Sequence, residues 1–521
     1  MPKFYITTSI PYVNAPPHMG HALEFVQADA IARWRRLQGD DVFFLTGTDE
    51  HGAKISRAAA DAGKNPREFA NANAKQFGDL IVKLSVSPNA SIRTSDQKHH
   101  WPGAEDLWRR IAKNGDIYKG TYKGLYCVGH EAFVTEKDLK GGICEDHGKK
   151  PERIEEINYF FRLSEYGDEI KKRIETGDLE VLPEKRKNEV LAFLTEGTQD
   201  ISFSRPAKDI PWGIPVPGDS SQTMYVWCDA LSNYTSALGF GGSSDELFKK
   251  YWPADMHVVG KDIVRFHAVI WPAMLLSAGL PLPKRLFVHG FIHSGGKKMS
   301  KTLGNVIDPF SVLKKYGTEA VRYVLLSASV FEDNDLTPER IHKLYTAHLA
   351  NGIGNLVSRI AAMAEKYFEG KIARPSDVVL AAVPFKTDID MVGAKDRDLE
   401  IEGPAVSWFI EHKTTVRYRA AWEEYRIHDA LHEVMELERM LDRYIQDYEP
   451  YKLIATDRKH AEAVLWNVLL ALGAMARFLL PLLPGTAHSI AGMLGVDMDA
   501  VGANTSEYVI TKTSALFPRI E

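Results

Sequence analysis

The opening of the chain alternates a β-branched run, a turn and a helical pattern, and then repeats the cycle. This alternation is the tightest constraint on the fold. KFYITTSI (Lys3–Ile10) is rich in β-branched and aromatic residues and reads as a strand. HALEFVQADAIARWRRLQG follows as an amphipathic helix, with Leu23, Val26, Ala30, Ile31 and Trp34 near one face and Gly39 as its stop. A second strand, Val42–Leu45, ends in a polar loop, Thr46–Gly52, ahead of a helix from about Ala53 to Ala62. Such βαβ units build a parallel, doubly wound sheet, so the fold class is α/β. Ligands of these sheets lie beyond the carboxyl ends of the strands, and both PPHMGHA (Pro16–Ala22) and GTDEHG (Gly47–Gly52) stand at that edge.

The rhythm breaks from about Tyr118 to Arg205, where glycines, Cys127, Cys144 and charged stretches suggest an inserted subdomain. The sheet then resumes: Met224–Tyr234, Asp255–Ile263 and Leu286–Ile292 each carry a strand-like core. A polar glycine loop, HSGGKKMSKTLGN (His293–Asn305), follows the last of them. Beyond about Pro338 the pattern is helical, with one irregular stretch from about Gly370 to Pro404. At 521 residues, 45% of them hydrophobic, the chain is long enough for several domains. A net charge of −5 means that a nucleic acid would be held by local basic patches and not by a global field. Three cysteines make no disulfide framework and fit a reducing compartment. The stretch Ala463–Gly485 is apolar, but Asn467, Arg477 and Pro481 interrupt it, so it reads as a bundle helix and not as a membrane span.

His18 and His21 share one side of the first turn of a helix, where free N–H groups and the helix dipole favour an anion. Lysines on a mobile glycine loop after a strand of the same sheet can close over a triphosphate and neutralise developing charge. HMGH and KMSKT, about 280 residues apart, resemble the two signatures of class I aminoacyl-tRNA synthetases. SIPYVNAPPHMGH, GTDEHG, YVWCDALSNY and GKDIVRFHAVIWPAML further resemble the methionyl-tRNA synthetase family, from Lys3 to about Pro484. The resemblance implies a Rossmann-like catalytic sheet split by a connective insertion and followed by an α-helical bundle. It implies a first catalytic half at 1–117, the insertion at 118–205, the second half at 206–292, a KMSKT-loop and linking region at 293–345, and an anticodon-binding helical domain at 346–521.

Its implied activity is methionine–tRNA ligation, with methionine, ATP with Mg²⁺, and tRNA(Met) as partners. His18 and His21 would contact phosphate in the transition state, and Lys298 and Lys301 would stabilise the leaving pyrophosphate. Gly20 would leave space for adenine, Gly260 and Asp262 would meet the ribose, and Thr302 keeps the hydroxyl of the more usual serine. Ile10, Tyr12, Trp227, Ala230, Tyr234, Ile263 and His267 would line the methionine pocket, with Asp49 on the ammonium. An aromatic cage suits a polarizable thioether. Leu231 stands where some members have proline.

Within the insertion, Cys127, His130, Cys144 and His147 form two Cys-x2-His knuckles, read either as a tetrahedral structural zinc site with no open position for substrate or as an empty, metal-free knuckle. Relatives commonly carry cysteine at the place of His130, so this set has one thiolate fewer. Asn355 and Arg359, at i and i+4 on one helix face, would read the anticodon. Tyr451, where the family usually has tryptophan, would either stack on a base or serve as a core or interface ring. The short insert argues against the isoleucine, valine and leucine enzymes, which usually carry a larger one. The intact His18, His21, Lys298 and Lys301 argue against a binding-only relative. A cytoplasmic location is expected, from a start without a signal peptide, and a monomer, from an end without the appended domain of dimeric relatives.

Overall fold

The computed structural model describes residues 1–521 except 128–131, 135–138, 145–147, 211, 300–304, 385–404, 499–504, 512–513 and 521. It divides into two compact units, Met1–Phe291 and Ile292–Glu521.

In the first unit, six strands form the central sheet: β1 (Lys3–Thr8), β2 (Asp41–Thr48), β3 (Ala90–Arg93), β4 (Glu180–Leu182), β5 (Met256–Gly260) and β6 (Arg285–His289). Their order is β3-β2-β1-β5-β6-β4, and every neighbouring pair is parallel. The chain winds outward from β1 through β2 to β3, crosses to the opposite edge as β4, and then returns beside β1 as β5. The switch point therefore lies between β1 and β5, and loops leaving their carboxyl ends diverge around a crevice. Helix α1 (Met19–Leu37) follows β1, and α2 (Ala53–Asp61) follows β2.

Three features differ from the sequence reading. Helix α1 is not amphipathic in its surroundings, because every residue from Ala22 to Ala32 is buried. Its two buried carboxylates are answered within the protein: Asp29 takes Arg33 Nε at 2.8 Å and Ser87 N–H at 2.8 Å, and Glu24 takes Ser9 Oγ at 2.6 Å. The segment Met224–Tyr234 is not a strand core. A strand, Asp219–Met224, ends as it begins, and the rest forms α3 (Val226–Leu231) and a short turn of helix at Asn233–Ser236. An apolar run of this length is compatible with either state, and tertiary contacts decided it. Finally, β4 falls inside the stretch 118–205 yet closes the edge of the parallel sheet, pairing Glu180 with Arg285. The remainder of that stretch carries an antiparallel sheet in which Ile117–Cys127 pairs with Glu152–Phe161.

The second unit is mostly helical and includes α4 (Gly354–Phe368), α5 (Ile427–Tyr448) and α6 (Arg458–Leu479). One small sheet unites Ile292–Ser294, Lys297–Lys298 and Asn334–Asp335, and a strand pair joins Lys371–Ala373 to Glu507–Val509. Helix α6 is long and apolar enough to cross a membrane, but 72% of its most apolar window is buried inside the protein. Buried Asn467 is answered there by the Tyr444 hydroxyl at 3.0 Å.

Gly47 of β2 shows how tightly the sheet edge is built. A Cβ at this position would stand 2.2 Å from the Ile92 carbonyl oxygen and 2.9 Å from Ile10 Cγ2. Gly47→Ala is expected to destabilise the protein by about 1–3 kcal/mol, the cost of overpacking. The urea unfolding midpoint measures this, and an unchanged midpoint would contradict the packing described.

Candidate active site

The first turn of α1 is built by its own histidines. His18 is the N-cap, in extended backbone, and its Nδ1 accepts the Gly20 N–H at 3.1 Å. His21 Nδ1 accepts the His18 N–H at 3.1 Å, a reciprocal cap in which two imidazoles do what serine and glutamate usually do. The rings stack with centroids 3.8 Å apart. Because both Nδ1 atoms accept, each neutral ring carries its proton on Nε2 and keeps a donor there. Burial, and then the neighbouring His18, push the His21 pKa well below the usual histidine range, so His21 is neutral. A Cβ on Gly20 would lie 2.9 Å from His18 Cε1, so glycine is needed here for the histidine cap itself.

Tyr12 and Asp49 meet across a parallel bridge beyond the ends of β1 and β2. Asp49 N–H donates to the Pro11 carbonyl at 2.9 Å, and Val13 N–H to the Asp49 carbonyl at 3.0 Å. Asp49 is buried, while Ile10 and Tyr12 are partly so. On α3 and the turns after it, Trp227 stacks on Phe266 at 3.7 Å and meets His267 edge-on at 6.2 Å. His267 Nδ1–H donates to the Ile263 carbonyl at 3.0 Å, which leaves Nε2 to accept the Tyr234 hydroxyl at 2.8 Å. Burial pushes His267 down to about 4 and holds Tyr234 well above the usual phenol range, so both are neutral. Trp227, Tyr234, Ile263 and His267 are thus brought together, with Ala230 buried on the same short helix.

Gly260 closes β5, where a Cβ would lie 2.9 Å from the exposed Asp262's Oδ1. Behind it, His289 Nε2–H donates to Glu24 Oε2 at 2.9 Å. Burial alone would lower the His289 pKa, but the bond and charge of Glu24 raise it.

In the second unit, Lys298 pairs with His293 in a hairpin, and its side chain lies outside the described residues, as do Lys301 and Thr302 altogether. Asn355 and Arg359 lie on α4, and Arg359 Nη1 donates to Asp442 at 3.1 Å. Tyr451 is 44% exposed, which removes the core-ring alternative, and Arg359 is near enough for its charge to act on the phenol. Of the four knuckle residues, Cys127 and Cys144 are buried, and His130 and His147 lie outside the described residues.

Comparison with known proteins decides the family. Residues 4–146 and 134–361 match the family described as tRNA synthetases class I (M). A methionine–tRNA ligase from Clostridium acetobutylicum is 40% identical, covering 100% of this chain and 78% of the relative. One from Brucella suis is also 40% identical, over 95% of this chain and 92% of the relative. The chain belongs to the methionine–tRNA ligase family. Among solved structures, Mycobacterium tuberculosis methionyl-tRNA synthetase in complex with methionyl-adenylate matches with a TM-score of 0.90 at 35% identity, covering 100% of both chains.

Against this family background, one cluster was missed by the sequence reading. Asp229 is bonded to His51 and His100, three side chains with almost no exposure. His51 and Asp229 lie within GTDEHG and YVWCDALSNY, but nothing in the string pairs them, and His100 carries no motif at all.

The neutral buried histidines make stability depend on pH. His267 binds its proton in the unfolded chain below about 6.5, but in the folded protein only near 4. Its contribution is full above about pH 6.5 and falls as pH drops towards 4, by up to about 3 kcal/mol. His21 and His257, also lowered, act in the same direction. The urea midpoint should fall between pH 7 and pH 5, and a flat profile would contradict neutral burial.

Proposed function

We propose that this chain joins methionine to tRNA(Met) in two steps, with the residues above in the following roles. In the first, the methionine carboxylate oxygen attacks the α-phosphorus of ATP, which enters as its Mg²⁺ complex. An O–P bond forms, the bond to the β-phosphate bridge breaks, and methionyl-adenylate and pyrophosphate result. In the second, a hydroxyl of the terminal ribose attacks the adenylate carbonyl, forming the ester and releasing AMP.

The observation that carries this reading is the pairing of His18 and His21 at the start of α1, beside the switch point of the sheet. Two neutral rings with protons on Nε2 offer donors to phosphate without a proton transfer, so positioning and charge stabilisation do the catalysis. Lys298 and Lys301 supply positive charge to the departing pyrophosphate, Thr302 a hydroxyl to the nucleotide, and Gly20, Gly260 and Asp262 accommodate the adenosine. Asp49 holds the methionine ammonium. The polar atoms of Tyr234 and His267 are satisfied by each other and by Ile263, so together with Trp227, Ile10, Tyr12 and Ala230 they offer a thioether an aromatic wall with little unmet hydrogen bonding.

Asn355, Arg359 and Tyr451 read the anticodon. Arg359 exchanges its Asp442 partner for a base edge, and the exposed Tyr451 ring stacks. A structural zinc fits the insertion. The Gly148 N–H donates to the Cys144 carbonyl at 2.8 Å, and Cys127 and Cys144 are both buried, as thiolate ligands of a closed site are. Among the described residues no group of three or more possible ligands converges, since two of these four lie outside them. Bound there by Cys127, His130, Cys144 and His147, zinc would hold the two knuckles together and take no part in the reaction. A monomeric chain in the cytoplasm belongs to the same reading.

Amino-acid-dependent ATP–pyrophosphate exchange tests the activity. Exchange with methionine alone is expected, another amino acid would overturn the pocket, and none at all from folded protein would overturn the enzyme. His21→Ala should slow the exchange by roughly 10²-fold or more, the scale of losing a transition-state donor. An unchanged rate would remove His21 from the mechanism. Metal analysis of the purified chain should find one zinc, lost in Cys144→Ser; a metal-free wild type would refute the knuckle assignment.

A further inference from the structure

We propose that His51 and Asp229 are positioning residues for amino-acid recognition, Asp229 tying the loop that carries Asp49 to the helix that carries Trp227. The inference rests on the methionine-site reading above and deepens it.

Asp229 is 1% exposed, so water cannot solvate its carboxylate and protein donors must. Two imidazoles meet this need: His51 Nδ1–H donates to Oδ2 at 2.6 Å and His100 Nε2–H to Oδ1 at 2.8 Å. His100 is fixed in turn by Ser236 Oγ at 2.9 Å. The carboxylate therefore joins three segments far apart in the chain: the loop after β2, the start of the helix Trp101–Lys113, and α3 with the turn after it. Asp49 stands two residues before His51, and Trp227 two residues before Asp229. Breaking either bond strands a buried charge or a buried ring nitrogen, which costs more than the bond itself contributes. The loop and α3 are thereby held at one spacing, and with them the groups proposed for the ammonium and the side chain of one substrate.

His51 has no slack. Trp101 and Trp212 meet its ring edge-on at 6.1 and 5.3 Å, and its Nε2, at a residue 2% exposed, has no hydrogen-bond partner among the described residues. What orients the ring is its Nδ1 bond to Asp229. A positioning role thus predicts that Nδ1 matters and Nε2 does not, whereas direct substrate contact predicts the reverse.

Two substitutions separate these roles in the full chain. His51→Asn places an amide nitrogen near the position of Nδ1 and lacks Nε2, while His51→Gln reaches the position of Nε2 and loses Nδ1. In ATP–pyrophosphate exchange, His51→Gln should raise the methionine KM roughly tenfold or more, the scale of a lost bond to a charged group. Its ATP KM and kcat should stay within about twofold, and His51→Asn should keep the methionine KM within about threefold. KM does not depend on the folded fraction of a preparation, so partial misfolding does not imitate this split. If His51→Asn is as impaired as His51→Gln, or neither is impaired, the proposal is overturned. Asp49→Asn serves as the reference: a methionine KM unchanged in it overturns the site reading and the proposal together. A KM raised in Asp49→Asn but not in His51→Gln overturns the proposal alone.

Discussion

The first unit depends on one long-range pairing. β1 and β5 lie side by side, with Ile6, Thr7 and Thr8 in register with Met256, His257 and Val258, although some 250 residues separate them. The Asp255 carboxylate locks this register, accepting the Tyr5 N–H at 2.8 Å and Lys284 Nζ at 2.7 Å. All the parallel winding follows from it, since β2 and β3 can add only on one side and β6 and β4 only on the other. The crevice between the two halves is a consequence of the reversal at this seam. It brings the histidine-capped start of α1 and the Gly260–Asp262 turn to the same edge of the sheet.

A second theme is the control of histidine charge by partners. His21, His257 and His267 are kept neutral by burial. His289 faces Glu24, which raises its pKa. For Asp229, burial works against ionisation, but the charges and hydrogen bonds of His51 and His100 more than offset this and hold its carboxyl below the usual range. One residue type therefore serves as helix cap, as buried hydrogen-bond acceptor and as carboxylate tie within a single unit. The choice lies in whether a carboxylate is within reach, not in the local sequence.

Some of this was legible beforehand. The strand–helix alternation from Lys3 to Ala62 identified the parallel sheet, because that alternation has few other solutions. HMGH could be placed at a helix start because proline, glycine and the following apolar periodicity mark one. Other parts were not legible. The stretch after Met224 looked like a strand by its aromatic and apolar content and became helix, since its polar members Asp229 and Ser236 found buried partners. Helix α1 looked one-sided and proved buried on every face from Ala22 to Ala32, where Glu24 and Asp29 are answered by groups that no periodicity reveals. Tyr451 left two readings open, and only its exposure removed the core one.

By itself the sequence determined the local chemistry: which segments turn, which cap, and where the paired histidines and the clustered lysines are carried. These depend on neighbours a few residues away, where backbone geometry and side-chain reach suffice. The tertiary structure alone decided the rest: the seam between β1 and β5, the capture of β4 by the sheet, and the meeting of His51, Asp229 and His100. Those contacts join residues far apart in the chain, and what selects among the possible pairings is the cost of burying a charge without its partner.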